Sequence, residues 1–383
     1  MRKYRIHAIV FLLTTAVWGV RGGISWAQSA AGVDLIEELK LYSRALGAIM
    51  EGYAGDVEAR QLFYEAVRGM TKSLDKHSEF IDPEKYELMK ISIAGEYAGI
   101  GTWLKEADGK IMIENIRPGT SAERAGLHAG DIVLAVDGLA LAGKTVAEAG
   151  ALLRGDAGTE VLVRLFRDKE FEVKLVRETI ELESIRDIRK VGRAIGYMQI
   201  MDFQEKTVAQ MDAGLSDLEK QGIEALIIDL RNDGGGLMTQ AVAMAERFLP
   251  AGAKIVSVNS KIDVQRKEHV ASGSVRVYDY PMVILVNQFS ASASEIFSAA
   301  MQDHKRATLV GVKTFGKASV QSVVPLDERS AMKLTTARYL SPNGRQIDGI
   351  GLDPDVVVED GTSDNPQAQN QIKAAIAILK DYF

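Results

Sequence analysis

The sequence predicts a multidomain α/β chain: a helical N-terminal segment, a small β-rich unit, and an α/β core with a mostly parallel central sheet. Apolar residues recur at helical spacing over residues 33–91. Residues 94–178 break into short β-rich runs separated by Gly, Asp and Pro turns. From residue 179 onward, buried-strand runs alternate with helical ones, the pattern that places helical crossovers between parallel strands. The 383 residues, 46% hydrophobic and 26% charged, suffice for two or three domains with a substantial core.

Residues 1–27 stand apart. "MRKYR" is basic, "AIVFLLTTAVWGV" is a short apolar run, and Ser25 and Ala27 supply the small residues of a cleavage site. The segment reads as a secretory signal, with an uncleaved membrane anchor as the alternative; the run is short for a spanning helix. The expectation is export across the inner membrane to a periplasmic or other extracytoplasmic location. The chain has no cysteine, so it forms no disulfide there and has neither a thiolate nucleophile nor a thiolate metal site. A formal charge of -6 offers no basic footprint, which argues against nucleic acid as a partner.

Residues 28–93 form the helical segment, with "DLIEELKLYSRALGAIMEGY" and "EARQLFYEAVRGMTKSL" both amphipathic and Pro83 opening a further helix. Within residues 94–178, "TVAEAGALLRG" is helical and "EVLVRLFRDKEFEVKLVRE" reads as a hairpin turning near "RDKE". Residues 179–361 hold the core: strands "AIGYMQIM", "IEALIIDL", "PMVILVN" and "ATLVGV", and helices "KTVAQMDAGLSDLEKQG" and "MTQAVAMAERFL". Residues 362–383 end the chain as an amphipathic helix.

Two strand-to-helix turns carry the polar residues that chemistry requires. "VNQFSASASEIFSAA" places Ser290, Ser292 and Ser294 where a buried strand feeds a helix. Free helix amides at such a turn can meet the charge of a tetrahedral intermediate. The same residues also fit a capping box, Ser292 to Glu295, and the local pattern alone does not decide between nucleophile and cap. "RNDGGGL" brings Gly234, Gly235 and Gly236, which let backbone approach a ligand closely. It has neither the ending of a P-loop nor the GxGxxG spacing of a dinucleotide site. The histidines (His7, His77, His128, His269 and His304) occur singly, so there is no HExxH zinc motif. "LVGVKTFGKASVQ" supplies Lys313 and Lys317. A lysine acts as a base only when neutral, which takes desolvation costing about 4 kcal/mol.

The order of "GEYAGIG", "PGTSAERAGLHAGDIVLAVDG", "LIIDLRNDGGGL", "VNQFSASASEIFSAAMQD", "TFGKASVQ" and "ARYLSPNGRQIDGIGLDPDV" resembles the C-terminal processing (tail-specific) peptidases from about residue 35 to the tail. These are secreted or thylakoid-lumen serine peptidases with an embedded PDZ domain. The resemblance implies a Ser–Lys dyad. In that family the lysine of "TFGK" follows the nucleophile by 25 positions, which selects Ser292 and Lys317. Gln321 matches a supporting glutamine that orients the lysine, and Asp303 an acidic position that supports the site. The implied oxyanion hole combines the Ala293 N–H with that of Gly235, or of Gly236 next to it. No metal or cofactor is implied.

Residues 94–178 resemble the PDZ insertion, with Tyr97, Gly99 and Ile100 lining the end of a bound peptide. A PDZ domain adds an extended peptide to a strand and holds its terminal carboxylate with loop amides. The implied substrates are proteins with unstructured, apolar C-terminal tails; the implied partners are a second copy of the chain and an adaptor that delivers targets. A catalytically silent PDZ adaptor is the alternative. The chain departs from the family at Ala98-Gly99, where Gly-Gly is usual, at Ala318 after the lysine, and at "NDGGG" in place of "NPGG".

Overall fold

A computed structural model describes residues 35–359 and 369–382. The expected signal, residues 1–27, lies outside the described residues, as does the start of the expected tail helix. The chain divides into two units, residues 1–67 and 68–383.

The first unit holds α1 (Leu35–Gly52) and most of α2 (Ala59–Lys72), which runs on past the boundary. Tyr42 and Phe63 bring their rings to 6.2 Å between the two helices. No residue of α1 is buried, and Leu35, Ile36, Leu39 and Leu41 stand exposed.

The second unit opens with β1 (Glu79–Ile81) and α3 (Pro83–Ala94). Asp82 caps α3 by accepting the Lys85 N–H, Pro83 sits in the first turn, and left-handed Gly95 closes it. The strand lies inside the stretch 33–91 that reads as helical, just ahead of the helix that Pro83 opens. At three residues it is too short to leave a two-residue period, and it is defined by a partner far along the chain, β18 below.

The inserted unit follows as β2 (Glu96–Gly99), β3 (Thr102–Ala107), β4 (Lys110–Ile116), α4 (Ser121–Arg124), β5 (Ile132–Val136), β6 (Leu139–Ala140), α5 (Val146–Leu153), β7 (Glu160–Phe166), β8 (Glu170–Val176) and β9 (Glu178–Glu181). Antiparallel strands β3-β4-β5-β7-β8 form a sheet with β6 attached to β5. Its alternate residues, among them Ile113, Val133, Val161 and Leu165, close on Ala149 and Leu153 of α5. The entry and exit strands, β2 and β9, pair with each other. Lys206 in the core holds both of them, through Glu96 at 2.5 Å and Glu181 at 2.6 Å.

The core comprises β10 (Ile185–Val191), β11 (Ile195–Ile200), α6 (Thr207–Lys220), β12 (Ala225–Asp229), α7 (Met238–Glu246), β13 (Lys254–Ser260), β14 (Lys267–Val270), β15 (Met282–Val286), α8 (Ala293–Asp303), β16 (Thr308–Gly311), β17 (Ser319–Pro325), β18 (Ala331–Leu340), β19 (Val356–Val357) and α9 (Asn370–Lys380). Its main sheet runs β10-β11-β12-β15-β16-β19 and is parallel except at β10. Every residue of β12 and β15 is buried, which is why both read as continuous apolar runs. Alternate side chains divide between the two faces. Leu226, Ile228 and Ile284 meet residues of α6, α7 and α8, whereas Ile227, Val283 and Leu285 meet Ala375 and Leu379 of α9.

A second sheet, β1-β18-β13-β14 with β17 on β18, is antiparallel. In the main sheet β12 and β15 are parallel neighbours, with Asp229 opposite Leu285. The loops leaving their C-terminal ends therefore emerge side by side, where open α/β sheets bind ligands. Those loops are the glycine turn and the serine turn.

Candidate active site

The three serines of the turn after β15 have different surroundings. The Ser290 hydroxyl is fully buried and donates to the Leu230 carbonyl at 2.7 Å, pinning the turn to the neighbouring strand. Ser294 is equally buried and donates to the Asp233 carbonyl at 3.1 Å. Ser292 alone is half-exposed; its side chain stands in a capping box with Glu295, and among the described residues its hydroxyl donates to no acceptor. Its backbone sits at φ 55°, ψ -112°, a region that a non-glycine residue occupies at a cost of about 1–3 kcal/mol and that recurs at functional sites. A sharp strand–turn–helix of this kind lifts a serine hydroxyl clear of the sheet.

Glu295 determines where that turn stands. Its fully buried carboxylate accepts four hydrogen bonds: from the Ser292 N–H at 3.0 Å, the Lys317 N–H at 2.8 Å, the Gly316 N–H at 2.8 Å and the Thr314 hydroxyl at 2.5 Å. Burial raises its pKa, and the four donors oppose that rise. The capping-box arrangement is present, in that the acid reaches back to the Ser292 N–H, but the same acid also ties the serine turn to the lysine loop. A second tie comes from β18, where the buried Tyr339 hydroxyl lies 2.9 Å from the Ser292 carbonyl and 2.6 Å from that of Lys317. Neither Glu295 in this role nor Tyr339 was evident from local sequence. The one available signal was an acid at the head of the apolar run "IFSAAM".

Lys317 is half-buried on the loop entering β17, and among the described residues no hydrogen bond or ion pair engages its amine. Burial lowers its pKa and the nearby charge of Lys333 lowers it further, against the opposing pull of Glu295 and Glu79. Lys313 is different: it is more exposed and pairs with Asp353 at 3.1 Å. The turn of Lys317 depends on Gly316, at φ 85°, where a Cβ would lie 2.7 Å from the Gly351 nitrogen. His77, an isolated residue in the sequence, comes within electrostatic range of Lys317, whose charge adds to burial in lowering the histidine's pKa.

The glycine turn packs directly against Ser292. Gly235, at φ 96°, has the Ala293 nitrogen 2.7 Å and the Ser292 Cβ 2.8 Å from where its own Cβ would stand, so no side chain fits. The Gly235 N–H, however, donates to Asp233 Oδ1 at 2.8 Å and is not available as an oxyanion donor. The N–H groups of Ala293 and Gly236 have no partner among the described residues. Of the three expected donors, only the Ala293 and Gly236 N–H groups are therefore left unbonded among the described residues.

In the inserted unit, Tyr97 lies half-buried with its ring over Gly99, where a Cβ would come within 2.9 Å of it. Ile100 is buried in the core of that unit, so its side chain does not line a surface groove; its carbonyl accepts the Ala122 N–H at 3.1 Å. Arg154, absent from the sequence-based expectations, is half-buried next to Gly99, and burial lowers its pKa. No carboxylate pairs with it among the described residues.

The models of peptidase family S41 and of the PDZ domain match residues 194–358 and 112–167, respectively. A carboxy-terminal-processing protease of Bartonella bacilliformis is 37% identical over 307 residues, covering 78% of this chain and 70% of its own length. The chain belongs to peptidase family S41. A probable CtpA-like serine protease of Staphylococcus haemolyticus is 33% identical, covering 88% of this chain and 68% of that protein. Among solved structures, the photosystem II D1 C-terminal processing protease aligns with 28% identity and a TM-score of 0.48, covering 86% of this chain and 89% of that one. This S41 chain is accordingly a serine-type peptidase of the C-terminal processing kind with a PDZ domain for peptide or protein substrates.

Two further expected residues of this S41 peptidase occupy other surroundings. The Gln321 amide N–H on β17 donates to the Ser319 hydroxyl at 2.8 Å, and among the described residues no hydrogen bond joins Gln321 to the lysine amine. Asp303 ends α8, about 16 Å of helix rise from Ser292. There it accepts from the Ser341 hydroxyl at 2.6 Å and the Asn343 N–H at 2.9 Å and pairs with Arg345 at 2.5 Å, so it braces the 341–345 turn and not the serine. Ala318, where the family usually has glycine, is fully buried, and its N–H donates to Asp348 at 3.1 Å.

Proposed function

We propose that this S41 peptidase is exported and cleaves proteins near unstructured, apolar C-terminal tails through a Ser292–Lys317 dyad. The observation that carries the mechanism is a strained serine whose hydroxyl donates to nothing, and a half-buried lysine amine without a partner among the described residues, both bonded through their backbone to one buried carboxylate.

Neutral Lys317 takes the hydroxyl proton as Ser292 Oγ attacks the scissile carbonyl carbon. The oxyanion is met by the Ala293 and Gly236 N–H groups, the former at the positive end of α8. The resulting ammonium protonates the leaving amine as the C–N bond breaks. The lysine, neutral again, then deprotonates a water that hydrolyses the acyl ester. Burial favours the neutral amine between these steps. No metal or cofactor takes part in this scheme.

The PDZ domain presents the tail. Its terminal carboxylate is received beside Tyr97 and Gly99, where the unpaired Arg154 supplies the charge complement. The N-terminal segment directs the chain across the inner membrane to the periplasm or a similar extracytoplasmic space, where an adaptor delivers substrates. The exposed apolar residues of α1 pair with a second copy to give a homodimer.

The test is cleavage of a protein carrying an apolar tail by the purified chain, alongside Ser292→Ala and Lys317→Ala. Each variant should lose turnover while staying folded, and chelators should leave the wild type unaffected. Undiminished turnover in either folded variant would remove the dyad.

A further inference from the structure

The glycine turn carries an acid that the scheme above leaves idle. Asp233 is fully buried between β12 and α7, and its polar groups reach into both turns of the site. Its carbonyl accepts the Ala291 N–H at 3.0 Å and the Ser294 hydroxyl at 3.1 Å, on either side of Ser292. Its carboxyl Oδ1 accepts the Gly235 N–H at 2.8 Å. The other carboxyl oxygen, Oδ2, is buried with no hydrogen-bond partner. An ionised carboxylate in that position would carry an unsolvated charge, whereas the neutral acid avoids it.

We propose that Asp233 is a positioning residue, held as the neutral acid, which locks the glycine turn onto the nucleophile turn and keeps negative charge away from the developing oxyanion. The inference rests on the Ser–Lys mechanism proposed above. By taking the Gly235 N–H, the carboxyl fixes the peptide that precedes the free Gly236 N–H. The carbonyl holds the residues flanking Ser292, so one residue sets the spacing between the two oxyanion donors.

The charged surroundings favour the neutral form. Asp202, on the loop between β11 and α6, faces the same turn: a Cβ on Gly236 would lie 2.8 Å from its carboxyl. Arg231, the cation of the same loop, is bound to Asp229 at 2.6 Å. Glu295 on α8 is occupied by its four donors. No Lys or Arg forms an ion pair with Asp233 among the described residues. Burial pushes the Asp233 carboxyl up to about 8 and Asp202 adds to this, against the pull of the Gly235 N–H and the Ser294 hydroxyl. Ionisation above that pH would set a negative charge against the oxyanion. Ionisation of Asp233 therefore pulls kcat down on the alkaline side, against the rise that lysine deprotonation gives.

Steady-state cleavage of a tailed protein by the full chain, measured from pH ~6 to ~10, tests this with Asp233→Ala and Asp233→Asn, circular dichroism checking the fold. The Ala variant should lose about 10- to 100-fold in kcat with little change in KM, because the donors are no longer held in place. The Asn variant keeps an acceptor for Gly235 without a titrating proton. It should recover most of that loss and show no alkaline fall; should the Ala variant not fold, this profile alone decides. An Asn variant that keeps the wild-type alkaline fall, or a folded Ala variant with wild-type kcat, would overturn the role of Asp233 and leave the dyad standing. Equal turnover by the wild type and Ser292→Ala would instead remove the dyad, and this inference with it.

Discussion

Ser292 and Lys317 hang from the same atom. Glu295 Oε2 accepts the Ser292 N–H at 3.0 Å and the Lys317 N–H at 2.8 Å, so the backbone of the proposed nucleophile and that of the proposed base share one buried oxygen. The Tyr339 hydroxyl repeats the link through their two carbonyls. Relative placement of the two residues is thus fixed by backbone contacts, and among the described residues the Lys317 amine is left without a hydrogen-bond partner.

Glu295→Gln should uncouple the pair. An amide cannot accept all four hydrogen bonds, and at least one buried donor left unpaired costs about 1–3 kcal/mol. The expected result is a fall in kcat of about 100-fold with a lowered Tm, read by turnover and thermal unfolding. A folded variant with wild-type kcat would refute the positioning role.

Tyr339→Phe removes only the second link. The loss of one buried hydrogen bond predicts about 1 kcal/mol less stability and a kcat lower by roughly 10-fold, with KM nearly unchanged. The split between kcat and KM distinguishes positioning from substrate binding.

Lys333→Gln should shift the pH profile. The Lys333 charge helps to lower the pKa of Lys317, and removing it also frees Glu79, with which Lys333 is paired, to favour the ammonium. Both changes raise the pKa of Lys317. Since only the neutral amine accepts the serine proton, the acid limb of kcat/KM moves to higher pH. A limb that stays in place or moves down would contradict the assignment of Lys317 as base.

Arg154→Gln should weaken recognition of the tail rather than the chemistry. A charge-assisted hydrogen bond is worth about 1.5–3 kcal/mol, so affinity for a peptide with a free C-terminal carboxylate should drop at least 10-fold. Calorimetry with the C-terminally amidated peptide provides the control, since its binding should hardly respond to the substitution.

Asp233 also links stability to pH. The folded carboxyl is raised to about 8 from an ordinary 3.8, so the folded state retains a proton that the unfolded state releases. Its contribution is fully present below the unfolded value and is lost as pH rises towards the folded one. Asp233→Asn should therefore gain Tm over the wild type progressively between about pH 4 and 8, and hold that gain above.

The sequence makes the architecture legible where a strand or helix is long and buried on a consistent face. "ALIID" and "MVILV" read as central strands because both their faces are covered. β1 escaped because its definition lies in Met332 and its neighbours, more than 200 residues away. The serine turn was legible as a turn but not as a choice among serines. What separates Ser290 and Ser294 from Ser292 is a carbonyl accepting each of the first two from the neighbouring β12 loop, about 60 residues earlier. Glu295 is legible as a helix cap because that half of its role is local; its contacts with Thr314, Gly316 and Lys317 arise only from folding. That the Gly235 N–H is already bonded was hidden for a similar reason. Three consecutive glycines look alike in sequence, and the carboxyl that takes the middle one's N–H is placed by the turn itself.

The pairing of Ser292 with Lys317 is tested most directly by the rate and site of labelling with a fluorophosphonate across the pH range. The account predicts a covalent adduct on Ser292, forming faster as pH rises through the lysine limb, and almost abolished in folded Lys317→Ala. An adduct on Ser290 or Ser294, or labelling of Ser292 at an undiminished rate without Lys317, would contradict it.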